Sequence, residues 1–150
     1  MRVVLDANVF VSAAIRSGPS HRIVQRWFEG GWFELVMCPE LLAEIDEVLT
    51  GRERLRKWID LPTAERFVDT IRTLVDLVPD PLVSAATTRD RDDDYLVALA
   101  QTQQVDYIVT GDQDLHDWAG QRPPVITPAV FETLLAATEW STAPFRRPLP

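Results

Sequence analysis

Acidic residues stand where short apolar runs of this chain end or begin. Asp6 follows Val3-Val4-Leu5, and Asp112 follows Tyr107-Ile108-Val109 after only Thr110 and Gly111. Asp92-Asp93-Asp94 leads directly into Tyr95-Leu96-Val97-Ala98-Leu99-Ala100. Apolar runs this short read as buried strands of a parallel sheet, and ligands of such sheets bind outside the carboxyl ends of the strands. Asp6 and Asp112 both fall at that edge. Two carboxylates about 4 Å apart repel by roughly 4 kcal/mol at an effective dielectric of about 20. A bound divalent cation is the economical compensation, and oxygen-only ligands suit magnesium or manganese.

Other acids carry bland readings beside the functional one. An Asp before a helix caps it and favours its dipole, but one suffices. Three in a row, preceded by Asp90, exceed that need, so at least one is expected to be functional. Asp114 fits a helix cap and an extension of the acid group alike, and Asp117 reads as a solvated charge. After Pro39, the stripe Leu41, Leu42, Ile45, Val48 and Leu49 sets a buried helix face. Glu44 and Asp46 border that face on opposite sides, and periodicity nominates them equally.

The elements that must position these acids fit one domain of 150 residues, 46% hydrophobic and 25% charged. Strands are expected at 3–5, 33–36, 77–78, 107–109 and 125–126. Helices are expected at 8–15, from a Ser20 cap to about Glu29, at 39–51 and at 52–59. Three more are expected: one from Pro62 burying Phe67, Ile71, Leu74 and Val75, one at 95–100, and one from Pro128 to about Ala137. Residues 79–91 read as a loop. Apolar strands alternating with helices give an α/β fold in three layers, a central parallel sheet of four to five strands flanked by helices. The domain is expected over 1–140, with a Pro/Arg-containing tail at 141–150.

The net charge of −8, from 15 basic and 23 acidic residues, opposes bulk attraction to a polyanion. Cations or local basic patches must reverse the field if the partner is nucleic acid. Arg52, Arg54, Arg56 and Lys57 form one such run, and Arg89 and Arg91 flank the acids. These read equally as a solvated face or as phosphate contacts. Cys38 stands alone, which excludes an intramolecular disulfide and a cysteine-based zinc site. His21 and His116 are not spaced as a metal pair and read as surface residues. The five tryptophans read mostly as core or interface. No apolar run approaches the ~20 residues of a membrane helix, and the first acid comes too early for a signal peptide. A cytoplasmic location is expected.

Taken in order, the segments Val-Val-Leu-Asp6-Ala-Asn8-Val, Pro39-Glu-Leu-Leu-Ala-Glu44-Ile, Asp92-Asp-Asp94-Tyr-Leu-Val-Ala-Leu-Ala, Val109-Thr110-Gly-Asp112-Gln-Asp114-Leu and Val125-Ile-Thr-Pro128-Ala-Val-Phe131 resemble a PIN-domain protein. The branch is the one similar to VapC toxins of type II toxin–antitoxin systems, and the likeness covers residue 1 to about 137. The resemblance implies a metal-dependent endoribonuclease using one or two Mg²⁺ or Mn²⁺ ions. It matches the family's four acids to Asp6, Glu44, Asp94 and Asp112, with Asp114 as a common additional ligand and Asp93 beside them. It thereby chooses Glu44 over Asp46. Asn8 matches a structural Asn expected to bond local backbone. Ala7 departs from the usual Thr or Ser, whereas Thr110 keeps its hydroxyl to orient Asp112 or a metal-bound water. The resemblance also implies an RNA substrate, a small antitoxin partner and a homodimer.

Other phosphate chemistries fit less well. A haloacid dehalogenase-type phosphotransferase needs a second Asp where Asn8 stands, and a receiver domain needs a late Lys, whereas Lys57 is the only one. A PIN-like module that binds RNA or protein without catalysis, and a housekeeping RNA-processing nuclease, remain the competing readings. Eight of the 23 acids lie between Asp90 and Asp117, so the excess acid reads as the unfilled half of a cation site.

Overall fold

The computed structural model describes residues 1–82, 91–118 and 120–142, with the side chains of 91, 92 and 139–142 left aside. Arg89, Asp90 and the tail from 143 lie outside the described residues, and Arg91 and Asp92 are described by backbone alone. The sheet has four strands, β1 (Arg2–Leu5), β2 (Glu34–Leu35), β3 (Tyr107–Val109) and β4 (Val125–Ile126). All pair in parallel in the order β2-β1-β3-β4. Val3 faces both Leu35 and Tyr107, and Leu5 faces Val109. Beyond Arg2 the inner strands are apolar because both faces are covered: Val3, Val4, Leu5, Ile108 and Val109 are fully buried.

The chain leaves β1 through α1 (Ala7–Ile15) and α2 (Pro19–Glu29) and returns as β2 on one side. Gly30 and Gly31, both at φ +83°, make that turn in a conformation that costs glycine little. The chain then runs through α3 (Pro39–Gly51), a 3₁₀ turn (Glu53–Lys57), α4 (Leu61–Leu74) and α5 (Arg91–Thr102). It re-enters as β3 on the other side of β1. The direction of winding therefore reverses between β1 and β3, which opens a crevice at their carboxyl ends. A short α6 (Gln113–His116) precedes β4, and α7 (Pro128–Thr142) packs on α2. Helix α5 lies on β1 and β3.

Several elements differ from expectation. The segment at 77–78 makes only one parallel bridge, Met37 with Leu77, and Val78 N–H donates to the Met37 carbonyl. Pro79 and Pro81 supply no N–H to extend it. The helix expected at 52–59 is the 3₁₀ turn alone. Helix α2 begins at Pro19 with Gly18 as N-cap, so Ser20 is not the cap but a buried residue of the first turn. Helix α4 buries Ala64, Val68 and Ile71, while Leu74 is 48% exposed. Helix α7 continues past Ala137 to Thr142. Among the described residues, no helix is long and apolar enough to cross a membrane.

Candidate metal centre

Asp6 ends β1, and its backbone N–H donates to the Val109 carbonyl at 3.0 Å, so the β1–β3 ladder reaches the residue itself. Thr110 stands at the matching point after β3 and is fully buried. Its Oγ donates to Asp6 Oδ2 at 2.6 Å and accepts from the Asp112 N–H at 2.9 Å. One hydroxyl thus fixes both acid-bearing strand ends. The bond to Asp112 is made to its backbone, and the bond to Asp6 to its carboxylate. A carbonyl can only accept, so His116 Nε2 donates to the Thr110 oxygen at 2.7 Å. Asp112 caps α6 by accepting from the Asp114 N–H at 3.0 Å. That cap belongs to Asp112, not to Asp114.

Helix α5 brings a third carboxylate to this crevice. One oxygen each from Asp6, Asp93 and Asp112 lie within 4.8 Å of one another. Burial pushes the Asp6 carboxyl above its ordinary 3.8, and the Asp112 charge adds to the rise. The Thr110 bond and the amides of Ala7 and Asn8 oppose it. Converging anionic oxygens without nitrogen or sulfur are the donor set that hard divalent cations take. The residues present therefore fit Mg²⁺ or Mn²⁺. Asp94, 3% exposed, is buried in the same helix but is not one of those three.

Glu44 reaches the same region from α3. The Tyr95 hydroxyl donates to its Oε2. Burial first, then the Glu44 bond and charge, push the Tyr95 phenol far up, so it remains a donor. The Asp6 charge also acts on Tyr95, which sets the Glu44–Tyr95 pair beside the carboxylates. Asp46 faces away: it pairs with Arg72 of α4 at 3.5 Å and accepts from Thr50 at 2.9 Å. The two candidates that periodicity left equal are thus separated by their neighbours.

The remaining expected residues fall around this centre. Asn8 is exposed, and among the described residues its side chain makes no bond to local backbone. It lines a groove of about 680 Å³ with Val9, Ser12, Ser20, Gly111, Asp112, Gln113 and Pro128. Arg56 bonds the Leu49 carbonyl near the end of α3, a helix-terminus role. Arg52, Arg54 and Lys57 are exposed. That run begins eight residues after Glu44, about 12 Å along the helix at the usual rise. Tyr95 was missed by sequence reasoning, and His116, expected at the surface, is instead half-buried against the Thr110 carbonyl. A tyrosine within an aliphatic buried helix was the available signal, because a buried phenol needs an acceptor.

Sheet order, crevice and acids together define an α/β protein with a cation-competent carboxylate centre at a topological switch point. The chain belongs to the PIN domain family, which matches residues 2–114. No curated protein matches it in sequence. Its fold is similar to that of PAE2754 from Pyrobaculum aerophilum, with TM-score 0.66 and 18% identity over 91% of this chain and 90% of that one. It is also similar to VapBC2 from Rickettsia felis, solved bound to a DNA fragment from its promoter. There the TM-score is 0.57 and the identity 10%, over 85% of this chain and 97% of that one. At such identities the likeness is one of fold.

Proposed function

We propose that this protein is a metal-dependent endoribonuclease and the toxin of a type II toxin–antitoxin pair. The carrying observation is the convergence of Asp6, Asp93 and Asp112 at the β1–β3 switch point of a PIN domain. Asp6, Glu44, Asp94 and Asp112 are the residues proposed to hold one or two Mg²⁺ or Mn²⁺ ions, with Asp114 as a further ligand and Asp93 supporting. The bound cation would supply an activated water and charge stabilisation at the phosphoryl group. The chain's own part is to gather the carboxylates, keep Asp6 oriented through Thr110, and hold Glu44 through Tyr95. No side-chain nucleophile is required. The fold shared with VapBC2 supports a small antitoxin partner. A homodimer and a cytoplasmic location belong to the same reading.

The test is cleavage of single-stranded RNA by purified protein with Mg²⁺ or Mn²⁺. Activity is expected to vanish in excess EDTA and in Asp6→Asn and Asp94→Asn. Full activity in EDTA overturns the metal mechanism. Comparing Asp93→Asn with Asp94→Asn reads which α5 carboxylate carries the cation. Co-purification with the product of an adjacent short reading frame would separate a toxin from a housekeeping nuclease.

A further inference from the structure

The groove that starts at Asp112 does not end beside it. It adjoins a second hollow of about 280 Å³, and the two share Ser12, Ser20 and Pro128. The second hollow reaches Arg16, Gly18 and His21 at the start of α2, and among the described residues no acidic one lines it. Helix α2 has 11 residues, and its N-cap, Gly18, offers no side chain to the first turn. Pro19 has no N–H, and the first intrahelical bond is Arg22 N–H to the Gly18 carbonyl at 3.1 Å. The amides of Ser20 and His21 therefore open the helix without a protein acceptor among the described residues.

A second observation is independent of the helix end. Ser20 is a polar side chain only 7% exposed, it lines both hollows, and its hydroxyl makes no hydrogen bond among the described residues. Arg16 is exposed, and its guanidinium makes no ion pair or hydrogen bond among the described residues. Arg22, in contrast, is held by Glu132 of α7. The His21 ring is fixed against α1, with Nδ1–H donating to the Ala13 carbonyl at 3.0 Å.

We propose that the N-terminus of α2, with Ser20 and Arg16, is a phosphate subsite for single-stranded RNA, joined by this groove to the carboxylate centre. It rests on the ribonuclease reading and assigns backbone contact to the α1–α2 side. Amide donors at a helix start, a hydroxyl and a guanidinium are the chemistry a phosphodiester takes. A strand held there lies along the groove toward Asp112.

The test is fluorescence anisotropy of a labelled phosphorothioate uridine octamer on the full chain, with Ca²⁺ as the cation, across a salt series. Arg16→Gln is expected to weaken binding several-fold and to flatten the slope of log K against log salt by about 0.7, the value of one single-strand phosphate contact. Ser20→Ala is expected to weaken binding with the slope unchanged. Ser17→Asp, on an exposed residue of the hollow, places a repelling charge there without touching the core and is expected to weaken binding further. Wild-type binding and cleavage with all three variants unchanged overturns the subsite alone. A wild-type chain that neither binds nor cleaves RNA overturns the subsite and the ribonuclease reading together.

Discussion

The Thr110 hydroxyl and the Asp6 carboxylate meet at 2.6 Å although 104 positions separate them in the chain. The bond is buried and favours the charged form of Asp6. Thr110→Val removes the donor at nearly constant volume, so Asp6 should become harder to ionise and freer to turn. Loss of such an orienting partner costs about 10–100-fold in metal affinity. Calorimetric titration with Mn²⁺ checks this, and an unchanged affinity removes Thr110 from the centre.

Asp6 itself should trade stability against cation binding. Its folded-state carboxyl is raised above 3.8, chiefly by burial. A carboxyl raised in this way costs stability above its folded value, and the cost disappears as pH falls below the unfolded one. Asp6→Asn should therefore melt higher than wild type in EDTA at neutral pH, while losing the stabilisation that Mn²⁺ gives wild type. Thermal melts with and without Mn²⁺ read both effects.

Tyr95→Phe should destabilise the fold. The change leaves packing intact but removes the hydroxyl that donates to Glu44, at a tyrosine only 7% exposed. Hydrogen bonds to charged groups contribute about 1.5–3 kcal/mol, and urea unfolding should show a loss of that order. A loss no larger than that of a surface substitution would mean that Glu44 finds water instead.

Cys38 should be inert in the native state. It is fully buried at the start of α3, and burial followed by the nearby Asp80 carboxylate pushes its thiol up to about 11. Because the thiolate is the reactive form, labelling by a disulfide reagent at about pH 8 should proceed only on unfolding. Rapid labelling of folded protein would contradict this burial.

The Arg22–Glu132 pair joins α2 to α7 and holds the Glu132 carboxyl below its ordinary 4.5. Its contribution should be complete above that value and disappear as pH falls through the lower folded one. Glu132→Gln should thus lower the melting temperature slightly at neutral pH and not at about pH 2. The pair is exposed enough that the difference should shrink in high salt.

The sequence made the sheet legible where apolar runs were unbroken, and it made Asp6 and Asp112 legible because both stand just past such runs. It placed Glu44 and Asp46 symmetrically, since the helix period says nothing about which neighbour lies on either flank. Tyr95 on one side and Arg72 on the other make the distinction, and both are tertiary contacts. One step along α5 turns the side chain by about 100°, so which of Asp93 and Asp94 enters the carboxylate group depends on how the helix is seated on β1 and β3. Ser20 was read as a cap because its type favours that position. Proline fits the first helical position, so the helix starts two residues earlier and Ser20 is carried into its first turn, lining the groove.

Strand β1 lies inside the sheet, between β2 and β3, although it is built from the first residues of the chain. During synthesis Asp6 emerges early and waits for Thr110 and Asp112, which arrive last among the carboxylate centre's strand ends. A partly made chain therefore holds scattered acids and no assembled cation site. Chemistry at this centre therefore begins only once Thr110, 104 positions beyond Asp6, has been made and has closed on it.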